Sequence, residues 1–137
     1  MTITVDYQGN LRCTATSSES THTLTTDAPK GIGGKGEAMS PTDLVGVALG
    51  TCVITMVGAV AQRSGLDLAG SQVRVEKETA APGSNQIKVL KLTIVLPPGK
   101  SISEIDRQKL ERAAQSCPVK QSLHPEINIA MEFVYPD

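Results

Sequence analysis

Aromatic side chains are nearly missing from this sequence: it has no tryptophan, two tyrosines (Tyr7 and Tyr135) and one phenylalanine (Phe133) among 137 residues. Base-stacking platforms need several exposed rings, so single-stranded nucleic-acid binding loses its main support. An excess of one charge is missing too, since 13 Lys and Arg stand against 14 Asp and Glu for a net charge of −1. No global field draws the chain to a phosphate backbone or an anionic membrane. The 39% apolar content excludes an acidic disordered chain. Cysteine is sparse, at 13, 52 and 117, with no C-x-x-C pair and no histidine at zinc-ligand spacing, so no metal site is expected. An odd cysteine count without a secretory signal predicts a reducing, cytoplasmic setting. There is no internal repeat and no low-complexity tract, and the length predicts a single domain over 1–137. With large rings scarce, the core must come from Val, Ile, Leu and Ala.

What is present is alternation. Ile3, Val5 and Tyr7 point one way and Thr2, Thr4 and Asp6 the other, as in a half-buried strand. Gly9-Asn10 supplies a turn, after which Leu11, Cys13 and Ala15 alternate with Arg12, Thr14 and Thr16. Residues 22–26 read as a third strand, and 27–39 as a loop carrying Gly31, Gly33, Gly34 and Gly36. Ser40-Pro41-Thr42-Asp43 is a helix start, with a capping serine, a proline at the first helical position and an acid near the free amides. No residue from Leu44 to Gln62 is charged, so this helix should be buried on most sides, and Gly65 ends it. Residues 71–78 and 86–96 form a strand pair whose alternation slips between Val89 and Leu90, predicting a bulge there. Ser101 with Glu104 reads as a capping box for a helix to Gln115, with Ile102, Ile105, Ala113 and Ala114 inward. Cys117-Pro118 opens a short helix that His124-Pro125 closes, and Ile127, Ile129, Met131, Phe133 and Tyr135 share one face of a last strand. The fold class is α+β, with antiparallel sheets packed on two main helices.

The charge-free run has the length of a membrane span, but its glycines and threonines keep it only modestly hydrophobic and the amphipathic strands need it as cover, so no membrane role is expected. Gly46 and Gly50 allow close backbone approach. One small domain has too little sheet to cover such a helix on all sides, which predicts a second copy with Gly46 and Gly50 at or near the contact. Gly31 to Gly36 matches G-x-G-x-x-G letter for letter, yet no helix opens on it and Met56 stands where the ribose-binding acid belongs. No nucleotide cofactor is expected. Cys52 reads on its own as a small core residue; activation would need a cationic or hydrogen-bonding neighbour. Cys117 stands at a helix start with Lys120 nearby, both of which lower a thiol pKa; a neutral cap is its other reading. Cys13 is most simply core. His22 and His124 have no Cys or acid partner by spacing, which leaves a Cys–His acyl-transfer enzyme without support.

Two segments, GKGEAMSPTDLVGVALGTCVITMVGAVAQRSGLDL (34–68) and AAQSCPVKQSLHPEINI (113–129), resemble the OsmC/Ohr family of small bacterial thiol-dependent peroxidases. Each places a cysteine where the family has one, and the strand–helix–strand order matches over nearly the whole chain. The resemblance implies an OsmC-like fold in an intertwined homodimer with active sites at the subunit interface. It implies that Cys52 is peroxidatic and attacks a hydroperoxide, that Cys117 is resolving, and that an external dithiol, often a lipoylated protein, reduces the disulfide. No cofactor is implied. The family activates its attacking cysteine with an arginine held by a glutamate just after the helix-start proline. Thr42 has that position here and Asp43 follows it; at about 100° per residue Asp43 lies opposite Cys52 on a regular helix. Arg12 is the arginine candidate by chain order, since Lys30 and Lys35 lack the guanidinium fork. The expected function is reduction of organic hydroperoxides in oxidative-stress defence, with Cys52, Cys117, Asp43 and Arg12 as site residues. A non-catalytic binder of a small apolar ligand and a thiol redox sensor are the alternatives.

Overall fold

A computed structural model describes residues 1–137. The backbone forms two compact units, Met1–Val45 and Gly46–Asp137.

The first unit is a meander of β1 (Ile3–Gly9), β2 (Arg12–Ser17) and β3 (Ser20–Asp27), paired antiparallel in that order. The turn after β1 holds Gly9, Asn10 and Leu11 at φ 81°, 53° and 62°, left-handed values that glycine and asparagine accept most readily. Register places Val5, Ala15 and Leu24 side by side, with Tyr7 next to Cys13. This apolar face is open in the single chain: Ile3, Val5 and Tyr7 are 60%, 61% and 65% exposed. Cys13 is half-buried rather than core.

Helix α1 (Pro41–Arg63) begins in the first unit and runs through the second. Its start is the expected reciprocal cap, with the Asp43 amide donating to Ser40 Oγ (3.1 Å) and the Ser40 amide to Asp43 Oδ2 (2.9 Å). Its end is a Schellman turn, with the Leu66 amide on the Ala61 carbonyl, the Gly65 amide on that of Gln62, and Gly65 at φ 71°. Within the second unit β4 (Gln72–Thr79), β5 (Ile87–Val95) and β6 (Asn128–Val134) form the sheet, and α2 (Glu104–Gln115) and α3 (Pro118–Ser122) lie between β5 and β6. The architecture is α+β, two three-stranded sheets with two main helices. β4 and β5 are antiparallel, but β5 and β6 run parallel, so the sheet is mixed; α2 and α3 supply the crossover that parallel pairing requires.

Leu90, Leu92 and Ile94 alternate inward from β5, with Leu96 just beyond it also buried, and Leu49, Val53, Val57 and Ala61 form a buried stripe on α1. Each such side chain contributes about 1.5–3 kcal/mol by leaving water. The stripe corrects the expectation that α1 is buried on most sides: Val47, Ala48, Thr51 and Thr55 face solvent in the single chain. Gly46 and Gly50 lie on the buried side, under β4. A Cβ on Gly50 would come within 3.0 Å of Val75 and 3.6 Å of Val73, and one on Gly46 within 3.4 Å of Val75. These glycines therefore bring helix to sheet within one chain.

Three local expectations shift. The register break in the β4–β5 pair lies between Glu78 and Thr79, opposite the step from Val89 to Ile87, and not between Val89 and Leu90. Helix α2 is capped by Ser103, which accepts from the Asp106 amide (3.1 Å), and not by Ser101. This start leaves Ile105 68% exposed, because Leu110, Ala113 and Ala114 form the inner stripe and five residues turn Ile105 about 140° away from Leu110.

Candidate functional site

Cys52 sits at mid-length on α1 and is half-buried, whereas Cys117 is fully buried. Cys117 occupies the joint between α2 and α3: its amide reaches the Ala114 carbonyl, its carbonyl accepts from the Gln121 amide, and Pro118 takes the first helical position. This joint sets the Cys117 thiol beside that of Cys52, near enough for the two to interact, and both are free thiols.

Burial governs the protonation of Cys117. Burial, and secondarily its hydrogen bond to Cys52, push the Cys117 thiol up from its ordinary value of 9.0, against a smaller opposing pull from the Lys120 and Val119 amides. The helix start does act in the direction expected from the sequence, but desolvation outweighs it. At neutral pH Cys117 is therefore a protonated thiol. Linkage makes this testable. The folded Cys117 binds its proton more tightly than the unfolded chain, so its contribution is full below the ordinary thiol value and is lost as pH rises through and above it. Denaturant unfolding should show a stability decline above about pH 9 that is smaller in Cys117→Ser.

Arg12 is held by two carboxylates. It lies directly across from Asp27 in the β2–β3 register, and its Nη1 donates to both Asp27 oxygens (3.4 and 3.2 Å) and to Glu37 Oε2 (3.3 Å). Asp27 is 1% exposed and also accepts the Glu37 amide (3.0 Å). Sequence reasoning found Arg12 but missed both acids. Hairpin register was the available signal for Asp27. Glu37 arrives only through the loop, which folds back through the Gly36 amide on the Ala28 carbonyl and the Gly34 amide on that of Pro29. Gly34 is required there, since a Cβ would overlap the Ala28 carbonyl oxygen. The glycine-rich stretch is thus an ordered strap that contains one 3₁₀ turn, Lys30–Ile32, and opens no helix at its glycines. Asp43 serves the α1 cap described above, and the Nδ1 of His124 accepts from the Glu126 amide (3.2 Å). No group of three or more His, Cys, Asp or Glu is placed to hold a metal ion.

Comparison with known families and structures bears on this pair of thiols. The family described as OsmC-like protein matches residues 34–132, a span that contains both Cys52 and Cys117. The chain belongs to the OsmC-like protein family. Among solved structures, this OsmC-like chain is 33% identical to a protein of Psychrobacter arcticus 273-4 with the working description osmotic stress induced and detoxification response protein; the match covers 98% of this chain and 96% of that one at a TM-score of 0.90. It shares its fold with an organic hydroperoxide resistance protein OsmC from Legionella pneumophila (16% identity, 96% and 94% coverage, TM-score 0.72). It shares it also with an organic hydroperoxide resistance protein from Elizabethkingia anophelis (20% identity, 98% and 96% coverage, TM-score 0.71). Comparison with curated protein sequences gives no match.

Proposed function

We propose that this OsmC-like chain is a thiol-dependent peroxidase that reduces organic hydroperoxides in oxidative-stress defence. One observation carries the reading: two free thiols, distant in sequence, meet with unequal access to solvent, Cys52 reachable and Cys117 sealed. A peroxide can approach only the first, and only the second is poised to trap the product. The Cys52 thiolate attacks the peroxide, the O–O bond breaks, the alkoxide takes a proton and leaves as an alcohol, and Cys52 becomes a sulfenic acid. The Cys117 sulfur then displaces hydroxide from Cys52; with the Cys117 proton this leaves as water and a disulfide remains. An external dithiol of the lipoyl type restores both thiols and is itself oxidised to a disulfide. We place the cycle in the cytoplasm, where thiols are kept reduced. Hydroperoxide and dihydrolipoamide with the wild-type chain test the proposal: repeated turnover is expected, and no consumption above the dithiol alone would contradict it.

The same reading includes a homodimer. The open Ile3–Val5–Tyr7 face with Leu24 is an apolar patch of the kind that soluble chains cover, and so is the charge-free outer side of α1. Sedimentation at micromolar concentration should give a dimer, and Val5→Asp should shift it toward monomer. A well-folded wild-type monomer would count directly against the assembly.

A further inference from the structure

We propose that Gln121 is a positioning residue for Cys117: it fixes the angle between α2 and α3, at whose vertex the buried thiol sits. The proposal rests on the reading of Cys52 and Cys117 as a redox pair and concerns only the step in which Cys117 captures the oxidised Cys52. Its starting point is the break that Pro118 puts into the backbone. Proline has no N–H, so the hydrogen-bond ladder of α2 cannot run on into α3. The Ala114 carbonyl, which the amide of residue 118 would serve in an unbroken helix, accepts instead from the Cys117 amide at 3.4 Å. The other carbonyls in the last turn of α2 then need partners of their own. Those of Arg112 and Ala113 share the Ser116 amide, and Ala113 also takes the Ser116 hydroxyl (2.9 Å). The Gln115 carbonyl receives no backbone amide and is served by a side chain, Gln121 Nε2 at 3.2 Å.

Gln121 thereby holds both arms of the joint. Its backbone amide donates to the Cys117 carbonyl (3.1 Å) while its side chain grips α2 two residues before that cysteine. Gln115 in turn aims its own Nε2 at Met131 Sδ (3.8 Å), which ties the end of α2 to β6. Helix α3 has five residues, too few to keep an orientation by itself, so the fastening at its vertex decides where Cys117 points. All of these residues and Cys52 belong to the second unit. A disulfide forms only over a narrow range of distance and dihedral angle, and a small misplacement of a reacting group lowers its rate steeply. Gln121 is exposed, so replacing it touches no core packing.

The test follows capture by two routes in a Cys13→Ser background, where only the pair can react. In the first, one equivalent of an organic hydroperoxide is added to the reduced chain, and alcohol release is timed against disulfide formation. In the second, one equivalent of Ellman's reagent oxidises Cys52 to a mixed disulfide and releases one thionitrobenzoate. Cys117 then attacks the Cys52 sulfur, gives its proton to solvent and releases the second thionitrobenzoate, whose colour reports capture without any peroxide. Gln121→Leu has no donor for the Gln115 carbonyl, whereas Gln121→Lys keeps one. Gln121→Leu is expected to release alcohol at the wild-type rate and to slow capture roughly 10-fold by both routes. The loss should appear in the plateau of the rate between pH 5 and 9, with an unchanged midpoint, and Gln121→Lys should recover most of that plateau. A wild-type capture rate in Gln121→Leu overturns the proposal, as does a loss carried by the midpoint alone, equal slowing of alcohol release and capture, or a Gln121→Lys no faster than Gln121→Leu. A failed peroxidase reading appears separately, as a wild type that releases no alcohol while the second thionitrobenzoate still reports on Gln121.

Discussion

Cys52→Ser should abolish hydroperoxide consumption, with a fall of at least about 10³-fold, while Cys117→Ser should keep the first turnover and lose the rest. A serine hydroxyl stays protonated at neutral pH and has no sulfenic acid state, so the O–O bond meets no competent nucleophile. In Cys117→Ser the reachable thiol is intact and one equivalent of alcohol should form. The sulfenic acid then has no partner within the chain, so it should react with a dione trap and over-oxidise with excess peroxide. The asymmetry between the two variants follows from burial: Cys117, at 0% exposure, is a poor target for peroxide and iodoacetamide alike. Equal rates in wild type and Cys52→Ser would end the peroxidase reading. Matching first-turnover losses in both variants would remove the division of labour.

Gly50→Leu should be the most damaging single change to the fold around that pair. A Cβ at Gly50 already sits 3.0 Å from Val75, and a leucine adds three further carbons against Val73 and Val75. Overpacking of this kind costs about 1–3 kcal/mol, occasionally more. Leaving glycine returns about 1 kcal/mol of helix propensity. With the upper end of the packing cost, a net loss of about 2 kcal/mol is expected, seen as a lower denaturant midpoint at unchanged slope. Gly46→Ala reverses the balance: its Cβ would make an ordinary 3.4 Å contact, so propensity wins and stability should rise by about 0.5–1 kcal/mol. Opposite signs at two glycines one turn apart would establish that α1 is seated on β4 by close approach. Similar signs would not fit that packing.

The parts of the molecule legible in the sequence are those governed by neighbours along the chain. Ser40, Pro41 and Asp43 announced α1, Gly65 its end, and the alternation in β1, β2 and β6 their faces. Strand direction was not legible, because a period of two is the same in parallel and antiparallel pairs, and β5–β6 is parallel. Burial of Ile105 was misjudged because Ser103 with Asp106 sets the helix phase, while Ser101 with Glu104 satisfied the same local pattern. At the site, resemblance located Cys52 and Cys117, but the protonation of Cys117 depends on tertiary desolvation that no helix-start argument contains. Likewise Asp27 and Glu37 lie 15 and 25 residues from Arg12; the first is reached through a hairpin register and the second only through a glycine-dependent loop.

The central claim is that Cys52 and Cys117 form one redox pair in which the reachable thiol is oxidised and the buried one captures it. Its most direct test adds one equivalent of an organic hydroperoxide to the fully reduced chain without reductant, then measures alcohol, free thiols and the disulfide-linked peptides by mass spectrometry. The account predicts one alcohol formed per chain, two thiols lost, and a single cross-link joining the Cys52 and Cys117 peptides with Cys13 still free. Three titratable thiols with no alcohol released, or a cross-link through Cys13 instead, would contradict it.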